Sequence, residues 1–268
     1  MKRLMGVFFV LILLPSLVSA QSLKIEALRP QFKFADAEPT FWTSAWFVTV
    51  AVPIHKRLHF VGQLPFAFGK LKDATVPTKG EALGNPGLGL RFDHERLTID
   101  LGARIPLVQD GVITDKGFGS FIGALADIDR QEAFVPDILP IYGMIRTKIN
   151  ASKISIYPYG GATLTVKLQN ERNDFFARIF RLREDDGELY VLYGADGWLE
   201  LKPVYLGATF SGRTWVSSGG TFSASSIHQI SVRAKLVFEK VTPGLLFRFP
   251  LDDILLDNVF GLNFEINL

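Results

Sequence analysis

Apolar and polar residues alternate along most of this chain, and the last nine positions do so without a fault. Phe260, Leu262, Phe264, Ile266 and Leu268 are apolar, while Gly261, Asn263, Glu265 and Asn267 are small or polar. A period of two marks a strand with one apolar and one wet face. The pattern predicts twelve strands, at residues 23–35, 41–53, 58–68, 83–92, 97–108, 139–149, 154–166, 189–201, 204–216, 227–239, 244–251 and 259–268. In the third, Leu58, Phe60, Leu64, Phe66 and Phe68 oppose His59, Gln63 and Pro65; in the fifth, Leu97, Ile99, Leu101, Ile105 and Leu107 oppose Thr98, Asp100 and Arg104. The tenth sets Ile230, Val232, Ala234, Leu236 and Phe238 against Gln229, Ser231, Arg233, Lys235 and Glu239. Nothing in the sequence covers so many apolar faces, so their expected solvent is lipid.

The connections support this. Even-numbered strands end in short charged turns, such as His55-Lys56-Arg57 and Asp93-His94-Glu95-Arg96, whereas odd-numbered ones lead into segments such as 69–82, 109–138, 167–188 and 217–226. Short turns on one side, long loops on the other and an even strand count predict an all-β transmembrane antiparallel up-and-down β-barrel, with short periplasmic turns and longer extracellular loops. A soluble barrel would instead show water a row of Leu, Ile and Phe on every strand. Residues 119–137 are the least strand-like. Either Ser120 caps a short helix carrying Phe121, Leu125 and Ile128 over or into the pore mouth, or the segment is a strand, a charged turn at 129–132 and another strand. A further strand at 174–183 would then bring the count to fourteen. Pro53, Pro65, Pro106 and Pro250 fall on the inward register, where they either bulge the strands toward the lumen or end them.

The first twenty residues read as an export signal, with Lys2 and Arg3, an apolar run at 5–14, and Val18-Ser19-Ala20 before Gln21. They leave a barrel domain at 21–268 and an expected location in the bacterial outer membrane after export through the inner membrane. No later stretch approaches the roughly 20 apolar residues of a spanning helix. A formal charge of +2 argues against a nucleic-acid partner. The expected partners are outer-membrane lipid, a small-molecule solute and the barrel assembly machinery. With no cysteine, no ligand-spaced His or carboxylate cluster and no phosphate loop, neither cofactor nor metal is expected.

Three stretches carry a family likeness: GNPGLGLRF at 84–92, ADIDRQEAFVPD at 126–137, and LYGADGWLE followed by LGATFSGR between Leu192 and Arg213. Through them the chain resembles outer-membrane channels associated with phenol-degradation pathways, distant relatives of the long-chain fatty-acid transporters. The resemblance implies a passive uptake channel for small, often hydrophobic compounds. Such barrels commonly end in an aromatic residue, and this chain departs from that with Leu268.

Candidate solute-contacting residues are the inward charges Arg91, Arg104, Arg213, Arg233, Arg248, Asp100 and Glu265, with the inward Trp198. Sorted by height, Lys167, Arg104, Arg213, Arg233 and Arg248 fall in the middle or extracellular half, and Asp100, Glu200, Glu239 and Glu265 in the periplasmic half, with Arg91 and Lys235 as exceptions. A basic upper ring would favour anionic or electron-rich solutes. The alternative is that these charges pair and lock a closed, structural barrel. Of the four histidines, only His228 lies near the extracellular rim, after Ser223, Ser225 and Ser226, on the lipid-facing register. A lipid-modifying enzyme would need a nucleophile and a base within hydrogen-bond reach, which spacing does not supply, so no enzymatic activity is expected.

Overall fold

The alternation closes on itself. The computed structural model describes residues 22–33, 39–71, 79–108, 115–168, 187–218, 221–252 and 254–268. The first seven strands are β1 (Ser22–Phe32), β2 (Ser44–His55), β3 (Leu58–Lys70), β4 (Lys79–Leu83), β5 (Gly87–His94), β6 (Leu97–Arg104) and β7 (Ile138–Thr147). They are followed by β8 (Ile149–Ala151), β9 (Ile154–Lys167), β10 (Gly187–Leu201), β11 (Val204–Trp215), β12 (Ser226–Leu236), β13 (Val241–Pro250) and β14 (Leu256–Asn267). Twelve of them form an antiparallel wall, in which β9 pairs with β10 and β1 pairs with β14 from Ser22 opposite Asn267. The other two are additions: β4 pairs with the far end of β3, and β8 with the start of β9. The export signal and the candidate strand at 174–183 lie outside the described residues.

Outward positions carry large exposed apolar side chains all round the wall, among them Phe60, Leu90, Leu101, Ile145, Leu206, Val232, Phe247 and Leu262. Tight turns gather at one end, two of them using positive φ at Glu95 (41°) and Ser152 (54°), and the long connections gather at the other. In bacterial outer-membrane barrels the short-turn end is periplasmic.

Several predicted boundaries are corrected. The strand at 83–92 is broken at Gly84, Asn85 and Pro86, where Pro86 has no N–H for the ladder and Asn85 is engaged elsewhere. The tenth predicted strand stops at Leu236, which leaves Glu239 exposed in a turn rather than inward. Of the prolines, Pro53 sits at a register shift, Pro106 lies beyond the end of β6 and Pro250 ends β13. Pro65 pairs with Phe47 in mid-strand, where β3 changes partner from β5 to β4.

The 119–137 segment is not a strand pair. It contains the helix α1 (Asp115–Ala126) and a 3-10 turn, Ile128–Ala133, and it folds into the barrel. The helix therefore starts before Ser120, which is buried within it. Phe121, Ile122, Ala124, Leu125 and Ala126 are all buried, and from Phe118 to Ala126 only Ser120 is polar, so this stretch of the helix must be enclosed. The lumen encloses it because the inner wall is divided. Inward positions of β1 run Ser22, Lys24, Glu26 and then Leu28 and Phe32; those of β2 run Ala45, Phe47 and then Thr49. The apolar upper part, with Ala67, Leu246 and Val259, packs against α1, Phe134 and Val135 as one core.

The lipid-facing register is tested by Leu101→Arg and Val232→Arg, each expected to cost about 2–4 kcal/mol near mid-membrane. Asp100→Asn, which loses a half-exposed pair with Arg91, is expected to cost about 1 kcal/mol or less. Urea titration of folding into liposomes measures all three, and the reverse ranking would place the register one residue off.

Candidate functional site

The lumen is shaped by how the inward segment is held. Asn85, fully buried, donates from Nδ2 to the carbonyls of Glu132 (3.0 Å) and Val135 (2.8 Å) and accepts at Oδ1 from the N–H groups of Leu107 (2.8 Å) and Val108 (2.9 Å). One amide thus ties the chain entering the segment to the chain leaving it. The backbone adds Asn85 N–H to the Ala133 carbonyl, 2.6 Å, and a Cβ on Gly84 would come within 2.4 Å of that carbonyl. Glycine is required at 84 by this close approach, and the GNPG stretch is a clamp rather than a strand.

The opposite side of the segment is charged. Arg130 pairs with Asp127 (2.6 Å) and with Glu26 of β1 (2.8 Å) while lying 3.8 Å over the Phe47 ring. Asp127 also meets Arg248 of β13 at 3.1 Å, and Glu132 meets Arg213 of β11 at 2.5 Å. Burial alone would raise the Asp127 carboxyl, but the guanidinium groups of Arg130 and Arg248 outweigh it and hold the carboxyl below the ordinary range. Asp129 goes the other way, pushed up by burial and by neighbouring Asp127 despite Arg248. Arg104, buried at the end of β6, donates to the Asn85 carbonyl (3.2 Å) and to Gln63 Oε1 (2.8 Å).

Beneath the segment a cavity of about 520 Å³ opens toward the short-turn half. Its lining carries five cations, Lys24, Arg91, Arg104, Arg130 and Arg146, against five anions, Glu26, Asp100, Asp129, Glu132 and Glu265, with Gln63, Thr49, Tyr142 and Thr163 between them. The charges balance, and several pair locally, as Arg91 does with Asp100 at 2.7 Å. Of the sequence candidates, Arg91, Arg104, Asp100 and Glu265 meet here, while Arg213 and Arg248 sit higher, bound to the segment. Arg233 pairs with Asp196 (2.6 Å) and lies 4.6 Å over Trp198, which Lys235 also approaches at 4.4 Å. Sequence reasoning missed Asn85, Glu26, Asp127, Arg130 and Glu132. The cue available for the last three was a run of charges inside an otherwise apolar segment.

A closed twelve-stranded wall around a packed, partly polar interior is the architecture of known membrane barrels. The fold is that of a bacterial outer-membrane barrel. An outer-membrane channel from Pseudomonas putida F1 superposes with a TM-score of 0.60 at 11% identity, covering 92% of this chain and 95% of its own. The β domain of the Bordetella autotransporter BrkA gives 0.53 at 10% identity over 92% and 98%, and the translocator domain of the Neisseria meningitidis autotransporter NalP gives 0.51 at 9% over 100% and 96%. Identities this low speak for the fold, and with it for the outer membrane as the location. No protein-family model matches the sequence, and neither does any curated protein.

Asn85→Ala strands two carbonyls and two N–H groups, so we expect a loss of about 2–4 kcal/mol and earlier protease cleavage between residues 105 and 137. Thermal unfolding and mapped proteolysis check it. Asp129→Asn is expected to do the opposite. A carboxyl with a raised native pKa loses stability as pH rises through that value, so removing its charge should raise the melting temperature by about 2–4 °C at pH ~8 and leave it unchanged at pH ~3.

Proposed function

We propose that this barrel is a passive outer-membrane channel for small polar solutes and that the inward-folded segment is its gate. The observation that carries this reading is the polar cavity of about 520 Å³ directly beneath the segment. The resemblance to channels associated with phenol-degradation pathways, though it implies often hydrophobic solutes, supports the channel, as does the fold shared with a protein described as an outer-membrane channel.

The solute class follows from the lining. Arginines alone would favour anions, but Arg213 and Arg248 are held by carboxylates of the segment, and the cavity pairs five positive with five negative groups. Such a surface offers donors and acceptors without net attraction for either sign, and it suits neutral or zwitterionic solutes. The second reading, a structural barrel with its lumen shut, draws on the same ion pairs.

Conductance in a planar bilayer separates the two. A Cβ at Gly69 would lie 2.7 Å from Ile122 Cγ1 and 2.6 Å from the Phe118 ring, and the chain has no cysteine of its own, so Gly69→Cys with Ile122→Cys, and Phe118→Ala to clear the ring, offers a reducible bond between wall and helix. The oxidised protein should be silent, and reduction should restore conductance. Arg213→Ala with Arg248→Ala should raise conductance several-fold by loosening the segment. Silence in every form supports the structural barrel, and conductance indifferent to the lock would mean that the path does not run past the segment.

A further inference from the structure

The outer face of the wall is apolar almost everywhere, which makes one polar group on it stand apart. Tyr193 of β10, Gly212 of β11 and His228 of β12 occupy one row across three neighbouring strands. Gly212 has no side chain, and a Cβ there would come within 2.4 Å of the Tyr193 ring. The ring therefore lies across β11, and its hydroxyl reaches His228 Nε2 at 2.7 Å. On the other side Asp252, just past the end of β13, accepts the His228 backbone N–H at 2.5 Å and lies 3.2 Å from Nδ1. Thr214 and Ser226, one row nearer the long-loop end, share a hydrogen bond of 2.9 Å, and Thr214 reaches the Tyr193 hydroxyl at 3.4 Å. Phe210 stacks on the imidazole and Phe222 leans over it. The serines at 223 and 225, which the sequence sets beside His228, lie in the short helical turn Phe222–Ser225 that precedes β12.

We propose that Tyr193, His228 and Asp252 form a lipid-facing acyl-transfer site on the outside of the barrel, taking a carboxylic ester carried by an acyl-chain lipid of the surrounding leaflet. A carboxylate at Nδ1 keeps that nitrogen protonated and leaves the Nε2 lone pair to the phenol. A hydroxyl, a base within hydrogen-bond reach and a third group orienting the base are the parts nucleophilic catalysis needs. The Tyr193 oxygen attacks the ester carbonyl as its proton passes to Nε2. The ester C–O bond breaks, the departing alkoxide takes that proton, and the acyl group remains on Tyr193. Water, deprotonated by the same nitrogen, then releases the fatty acid and restores the phenol. The position explains the substrate class: the imidazole is 22% exposed between aromatic rings, on a surface bathed by acyl chains rather than in the lumen. Asp252 acts through His228 and is a positioning residue. Among the described residues, Asp252 and Tyr193 are the ionisable groups that face the imidazole.

The full chain refolded in mixed micelles, assayed with p-nitrophenyl octanoate, tests the proposal without reference to conduction. His228→Gln and Tyr193→Phe should each lower the rate about 100-fold or more. Asp252→Asn should lower it, and Asp252→Glu, which restores a carboxylate beside Nδ1, should recover part of the loss. Folding of each variant is read from its shift in gel mobility on heating. A second measurement needs no variant. An alkylsulfonyl fluoride should transfer its sulfonyl group to the Tyr193 oxygen, with fluoride leaving and the proton taken by His228, and peptide mass spectrometry should find the adduct there. A wild-type rate no greater than that of folded His228→Gln, or an adduct that forms elsewhere and spares Tyr193, overturns the proposal.

Discussion

The arrangement of the whole interior rests on one requirement, the enclosure of an apolar helix. From Phe118 to Ala126 α1 is apolar apart from Ser120, and the upper inner wall, from Leu28 and Phe47 to Leu246 and Val259, answers with an apolar surface of its own. A barrel of about twelve strands is wider than eight-stranded barrels, whose wall side chains just fill the inside, so something must occupy the difference. Here it is the chain's own third long connection. Once the helix is seated, the charged turn after it is carried against β1, β11 and β13, and the ion pairs of Asp127, Arg130 and Glu132 follow from where the helix ends.

The wall was legible in the sequence because strand alternation is a local property. Each predicted strand overlaps a strand of the wall, and residues such as Leu101 and Val232 face the side that their neighbours' pattern assigns. The inward segment was half legible: its apolar residues fit a helix or a strand, and what decides between them is the apolar patch waiting on distant strands, which no local window contains. Asn85 was hidden for a related reason. Gly-Asn-Pro-Gly reads as a strand entry or a turn, and its four hydrogen bonds go to residues more than twenty positions away. The candidate arginines lie on the inner side of the wall, yet charge read from one chain position says nothing of the partner across the lumen. Arg213 and Arg248 therefore looked like a free basic ring, and the structure gives both to the segment.

The two faces of the wall now carry different chemistry on the same strands. On β10 and β11, Leu192 and Arg213 look inward toward the held segment, whereas Tyr193 and Thr214, one residue on, look out to lipid. A slip of one residue would exchange them, so the register that seals the membrane also keeps the lumen contacts and the outer polar row apart.

Glycine opposite an aromatic ring is a device repeated around this wall. Tyr142 lies against Gly102, Tyr159 against Gly194, Trp198 against Gly207 and Tyr193 against Gly212, each so close that a Cβ on the glycine would collide with the ring. A ring laid flat in this way is tangential to the barrel instead of radial. The three that point inward therefore take little from the bore, and each tiles over a seam between strands and braces it from within. Three large aromatic side chains thereby become part of the thickness of the wall, and the space left inside the barrel is wider than the same residues would allow if they stood upright.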